Sequence, residues 1–182
     1  MAADTPYSHP VRTAALPQRK PHCFDLSPDA AARAAIAAEL GLLDLPSVRL
    51  KGELRPSGRR DFVLDARLSA GVVQPCVVTL APVPARIDEP VTRRYMADYQ
   101  EPQGDDVEMP EDDTTEALGE VIDLGAVLVE ALSLALPLYP RADGATFEGQ
   151  IASEAGAEPL TDEKLRPFAG LADLLKGKDS PE

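Results

Sequence analysis

Between Ser47 and Leu68 the sequence alternates with a period of two, and this leaves little choice of local structure. Val48, Leu50, Gly52 and Leu54 fall on one side, with Arg49, Lys51, Glu53 and Arg55 on the other. Successive side chains of an extended chain point to opposite faces, so the pattern predicts a half-buried strand. Pro56-Ser57-Gly58 supplies turn residues, after which Phe62, Leu64, Ala66 and Leu68 alternate with Val63, Asp65 and Arg67. The two runs predict a hairpin with one apolar and one charged face. A turn near Ala70-Gly71, a third strand through Cys76, Val78 and Leu80, and a fourth from Arg86 to Met96 beyond Pro84 extend it to an antiparallel β-meander.

A sheet with one apolar face needs a cover, and the stretch "IDLGAVLVEALSLALPLYPR", residues 122–141, provides one. Asp123 can cap a helix that begins at Leu124. Leu124, Leu128, Ala131, Leu132 and Ala135 make one face, while Val127, Val129 and Leu134 cover most of the rest, leaving Glu130 and Ser133 as the strip that reaches water. A helix apolar nearly all round is buried on several sides. It does not read as a membrane span, because Glu130 interrupts it, Pro137 and Pro140 stop it, and a span needs about 20 apolar residues. A second helix, alanine-rich, is predicted to start with the Ser27 hydroxyl as cap and Pro28 at the first helical position and to stop at Gly41, with Ala32, Ile36 and Leu40 on one face. The fold class is therefore α+β: an antiparallel meander packed by a buried apolar helix, with an N-terminal helix and a short C-terminal helix.

That last helix is predicted over residues 166–178, "RPFAGLADLLKGK", where Phe168, Leu171, Leu174 and Leu175 share a face. It serves either to dock on its own domain or to grip a partner protein. The implied organisation is an extended segment over 1–20, a single α+β domain over 21–140, a linker over 141–165 and this helix.

The net charge of −13 is unevenly spread. Residues 1–94 hold 13 Lys/Arg against 10 Asp/Glu, whereas residues 95–140 hold 12 acids and no base. Residues 98–120 carry ten of those acids with almost nothing to bury, which predicts a flexible acidic loop. Asp105, Asp106, Asp112 and Asp113 lack the spacing of a calcium loop, so no metal is assigned to them. Cys23 and Cys76 stand alone, as neither a zinc set nor a disulfide framework, which suits a reducing compartment. The first twenty residues lack the apolar run of a signal peptide, so the expected location is the cytoplasm.

Catalytic patterns are missing from the sequence. There is no nucleophile elbow, phosphate-cradling glycine loop or zinc-protease motif, and neither His9 nor His22, both in the proline-rich N-terminal region, has a nearby Cys or Ser that makes a convincing nucleophile with a base. The expectation is a protein that is not an enzyme, with no catalytic residues, no cofactor and no small-molecule substrate. The pattern of most functional promise is the basic side of the meander. Arg49, Lys51, Arg55, Arg59, Arg60 and Arg67 cluster on two strands and their turn, with Arg86, Arg93 and Arg94 as an extension. Guanidinium groups suit phosphate oxygens, so these six are candidate phosphate contacts, the alternative being a solvated sheet face that discourages edge pairing.

Three segments in order, "QPCVVTLAPV" (74–83), "IDLGAVLVEALSLALPLYP" (122–140) and "RPFAGLADLLKGK" (166–178), resemble the bacterial YceD family, the large ribosomal RNA subunit accumulation proteins. Asp123-Leu124, Glu130, the Leu-Pro with its second Pro, and the Pro-Phe-Ala-x-Leu-x-x-Leu tail carry the resemblance. It implies a small cytoplasmic ribosome-biogenesis factor supporting accumulation of large-subunit (23S) rRNA. Candidate partners are that rRNA or its precursor, met by the arginines, or a basic ribosomal protein, met by the acidic loop. The alternative is an adaptor that binds protein through Phe168, Leu171, Leu174 and Leu175 or the acidic loop, without RNA contact. Many family members carry a Cys-x-x-Cys in the strand and a second cysteine pair after the apolar helix, which suggests zinc. Here Thr79 follows Cys76 at that spacing and residues 141–182 hold no cysteine, so the metal role does not transfer and Cys76 reads as a small buried hydrophobe.

Overall fold

The computed structural model describes residues 5–99 and 114–146. The chain divides into two units, Met1–Ala145 and Thr146–Glu182, and every element below belongs to the first. The expected helix 166–178, with Phe168, Leu171, Leu174 and Leu175, lies outside the described residues, as do Asp105, Asp106, Asp112 and Asp113.

The elements run β1 (Pro10–Arg12), β2 (His22–Leu26), α1 (Ala30–Glu39), β3 (Asp44–Ser57), β4 (Asp61–Pro75), β5 (Pro82–Met96), β6 (Thr115–Ala117), β7 (Val121–Asp123) and α2 (Leu124–Ala135). The fold is α+β. A five-stranded sheet has the order β2-β3-β4-β5-β6, and β1 pairs with β7 in a separate two-stranded ribbon. β2 to β5 are antiparallel neighbours, but β6 joins β5 in parallel, so the sheet is mixed.

The alternation of β3 and β4 is met residue for residue. Val48, Leu50, Leu54, Phe62, Leu64 and Leu68 are all buried on the inner face. Both strands are longer than the periodicity suggests, with a three-residue turn at Gly58–Arg60 instead of Pro56-Ser57-Gly58. Gly52 pairs between Phe24 and Ala66, and a Cβ there would lie 2.5 Å from Ala66 Cα. The sheet is packed too closely at that point for any side chain.

Between Ala70 and Arg86 the expected order fails. Gly71 is not a turn but a mid-strand residue, aligned with Ser47 on one side and Arg86 on the other. Cys76, Val78 and Leu80 do not form a strand; they belong to the turn joining β4 to β5. Cys76 N–H donates to Ala81 O at 2.8 Å, Leu80 N–H donates to Cys76 O at 3.0 Å, and Leu80 takes a left-handed φ of 61°. β5 then begins at Pro82 and runs through Pro84 and Pro90. Proline lacks a backbone donor, and β5 tolerates it because β6 covers only Arg94 to Met96, leaving the rest as a sheet edge.

α1 is capped by Asp29, not Ser27: its carboxylate accepts the Ala32 N–H at 2.8 Å. Asp is as good a cap as Ser and stands one residue before the helix, which leaves Pro28 outside it. Gly41, at φ 64°, follows the helix end as expected. α2 lies on the inner face against β4 and β5, where Leu124, Leu128 and Leu132 are fully buried in one core with Leu64, Leu68 and Val91. Leu134, expected under cover, is 74 % exposed. The stretch expected as a loop over 98–120 contributes β6, and β7 follows it directly.

Asp123 is both cap and clamp. Its Oδ1 accepts the Gly125 and Ala126 N–H groups at 2.9 and 3.2 Å, and also the His9 N–H at 2.7 Å, while Ser8 Oγ donates to Oδ2 at 2.6 Å. The N-terminal segment therefore crosses the first turn of α2. A Cβ on Gly125 would lie 2.7 Å from His9 N, so only glycine permits the crossing. Burial opposes the Asp123 charge, but the Ser8 hydroxyl and the His9, Ala126 and Gly125 N–H groups outweigh it and lower the pKa.

Candidate nucleic-acid interface

The outer face of the sheet carries the charged half of the alternation. Register sets Lys51 opposite Arg67 and Glu53 opposite Asp65, placing like charges side by side, which is unfavourable unless relieved. Long arginine side chains relieve it by reaching to other carboxylates. Arg49 makes two bonds to Asp25, at 2.7 and 2.5 Å, and Arg67 makes two to Asp88, at 2.6 and 2.8 Å. Arg55 holds Asp65, and Glu53 at 3.1 Å. The hydrogen bonds from Arg49 and Arg67 lower the pKa of Asp25 and Asp88 respectively, fixing both as carboxylates.

Of the six candidate RNA contacts, Arg49, Lys51, Arg55 and Arg67 share this outer face, while Arg59 and Arg60 stand in the β3–β4 turn. Arg60 Nη1 lies 3.6 Å from Asp98 Oδ1. Arg86 and Arg94 are also on the outer face. Arg93 is not: it is aligned with Leu64 on the inner face, only 13 % exposed, and donates to Glu130 on α2 at 2.6 Å. Glu116 Oε1 is 3.5 Å from Arg93 Nε, close enough for charge attraction but without hydrogen-bond geometry. Glu130, which the sequence places on the strip of the helix that reaches water, is thus the helix's tie to β5.

Two hollows on the outer face differ in charge. Near the β3–β4 turn, one of about 500 Å³ is lined by Arg55 and Arg94 and, in equal number, by Asp61 and Asp65. At the opposite end a hollow of about 590 Å³ has Arg33, Arg49 and Arg86 against Asp88, with Ser27, Ser47 and Ser69 around it. Arg33, Ser27 and Ser47 are functional candidates that sequence reasoning does not reach. Arg33 lies on a different element, and isolated serines carry no periodic signal.

Cys76 is buried, but its sulfur is not a plain hydrophobe. Val78, Thr79 and Ala142 each donate a backbone N–H to Sγ at 3.4 Å. The Thr79 hydroxyl, then the Ala142 and Thr79 N–H groups, bring the thiol down to about 6 against the opposing effect of burial. With Val77 N–H donating to Pro140 O at 2.9 Å, the turn is fastened to the segment after α2. A structural zinc needs four nitrogen or sulfur ligands. The other cysteine, Cys23, is exposed on β2, and among the described residues no three His, Cys, Asp or Glu side chains converge. The residues do not fit the metal.

A family model described as large ribosomal RNA subunit accumulation protein YceD matches residues 64–175, well over half of the chain. The chain belongs to the YceD family. No curated protein and no solved structure matches it. The YceD match includes most of β4, all of β5 and α2, and thus Arg67, Arg86, Arg93, Asp123 and Glu130. Among the described residues no helix is long and apolar enough to cross a membrane.

Proposed function

We propose that the protein supports accumulation of large-subunit ribosomal RNA as a binding factor, not a catalyst, and that it works by contacting the rRNA or its precursor through the outer face of the sheet. The observation that carries the role is the YceD match, which spans the strands bearing Arg67 and Arg86. A binding role is favoured by the state of the outer-face carboxylates. Asp25 and Asp88 have lowered pKa values and are held by arginines, the reverse of a proton donor poised near neutrality. RNA is favoured as the partner by the guanidinium-rich hollow on a chain whose net charge is −13, since local charge governs phosphate contact.

Two measurements test this. Depletion of the protein lowers mature large-subunit rRNA relative to small-subunit rRNA; normal levels overturn the role. Crosslinking in cells recovers large-subunit rRNA on peptides from β3 to β5. Recovery of a basic ribosomal protein on those peptides, without RNA, overturns the proposed contact.

A further inference from the structure

The hollow at the Gly71 end of the outer face differs from everything around it. Elsewhere on the face guanidinium and carboxylate groups cancel, but here Arg33, Arg49 and Arg86 meet a single lining carboxylate, Asp88. Both oxygens of Asp88 are already engaged by Arg67, and its charge is further held by the Ser69 side chain. Even with Asp25 and Arg67 included, the hollow keeps a surplus of two positive charges.

Two of the three lining guanidinium groups are fixed in advance. Arg33 donates Nε to Leu45 O at 3.2 Å and Nη1 to Pro28 O at 2.9 Å, and Arg49 is forked onto Asp25. Arg86 is exposed and has no ion pair among the described residues. Positive groups held in place before a ligand arrives lower the ordering cost of binding. Gly71 keeps the floor flat between Ser47 and Arg86, and a Cβ there would press on Ser47 Oγ at 3.2 Å.

We infer that this hollow is a phosphate seat for RNA, in which Arg86 makes the charged contact with a backbone phosphodiester while Ser27 and Ser47 offer hydroxyl donors beside it. A cavity of about 590 Å³ has room for the sugar attached to the phosphate as well as the anion. No aromatic side chain lines it, so bases are not stacked there and the contact is to backbone, independent of sequence. The inference rests on the reading that the protein works by touching RNA, and adds where it does so.

The test is fluorescence anisotropy of the full 182-residue protein with labelled 12-nucleotide oligouridine and oligoadenine, across a potassium chloride series. Wild type binds both oligonucleotides similarly. Arg86→Glu weakens binding on the order of tenfold and lowers the slope of log affinity against log salt by about one. Ser47→Glu, which puts a carboxylate into the hollow, weakens binding comparably. Arg19→Glu, the same charge reversal on an exposed loop, changes affinity by less than about twofold.

Equal losses from Arg86→Glu and Arg19→Glu reveal bulk charge alone and overturn the seat. So does a wild-type protein whose Gly71 and Ser69 amide resonances move with inorganic phosphate but which does not bind the oligonucleotides. The cellular assay separates the two readings. Loss of large-subunit rRNA on depletion, with RNA binding indifferent to Arg86→Glu, overturns the seat alone. Normal rRNA on depletion, with Arg86-dependent binding intact, overturns the accumulation role alone.

Discussion

The two faces of the β2–β5 sheet are built from the same strands by opposite means. Inward, Leu50, Leu54, Leu64 and Leu68 contribute one continuous apolar layer closed by Leu124, Leu128 and Leu132 of α2. Outward, Arg49, Arg55 and Arg67 are each matched to a carboxylate in exposed pairs. The first arrangement removes area from water and is hard to alter locally. The second is screened by solvent, stabilises little, and leaves charge free to be spent on a partner wherever the matching stops. It stops at the Gly71 hollow, so on the reading proposed above stability and binding are carried by different sides of one sheet.

That division predicts the largest effect on the inner face. Leu64→Ala removes a fully buried side chain opposite α2 and costs about 2–5 kcal/mol in urea unfolding, with RNA affinity of the folded fraction unchanged. A cost near zero, or a loss of affinity out of proportion to unfolding, merges the two roles. A smaller effect belongs to Arg93, a charged residue turned toward α2 on the inner side. Arg93→Ala strips Glu130 and Glu116 of their shared cation and costs about 1–3 kcal/mol. Because Glu130 joins α2 to β5, a double-mutant cycle between Arg93→Ala and Glu130→Ala shows coupling; additive losses mean that the pair does not fasten the helix.

How much of this is legible in the sequence differs by element, for physical reasons. The hairpin and α2 are legible because each repeats one rule over many residues, alternation in the first and apolar residues on nearly every side of the second. The β4–β5 turn is not. Cys76, Val78 and Leu80 alternate as a strand would, and what bends them is a sulfur accepting backbone N–H groups, one from Ala142, 66 residues away. Three-residue strands such as β1, β6 and β7 are too short to show a period and exist through partners distant in sequence, as in Pro10 with Asp123. The outer arginines are legible as a face, but their neutralisation depends on register with β2 and β5. Asp25 and Asp88 can be matched to Arg49 and Arg67 only once that register is known. The hollow adds Arg33 from α1 and two serines, none of which a pattern would select.

Cys76, in the turn joining β4 to β5, gives a test that depends on pH. Its folded pKa, about 6, lies below the ordinary value of 9.0. An acid depressed in the folded state contributes stability that is fully present above its unfolded pKa and is lost as pH falls through the folded one. The advantage of wild type over Cys76→Ala in urea therefore grows from pH 6 to pH 9 and flattens on either side. A difference constant over that window shows that the sulfur acts as a neutral thiol.

The smallest effect is expected on the outer face itself. Arg67→Ala removes an exposed pair with Asp88, and at 150 mM salt its urea midpoint should be indistinguishable from that of wild type, in contrast to Leu64→Ala three residues away on the same strand. The pH dependence of the pair runs in the same direction as that of Cys76 but much lower. Asp88 is held below the ordinary aspartate value by Arg67, so what the pair contributes is present above about pH 4 and disappears as pH falls through the lower folded value. Its consequence for binding is larger than for folding. With Arg67 gone, Asp88 faces the Gly71 hollow without its cation, the local surplus of two charges falls to one, and RNA affinity declines while stability does not. A variant that lost stability and kept affinity would invert the assignment of roles to the two faces.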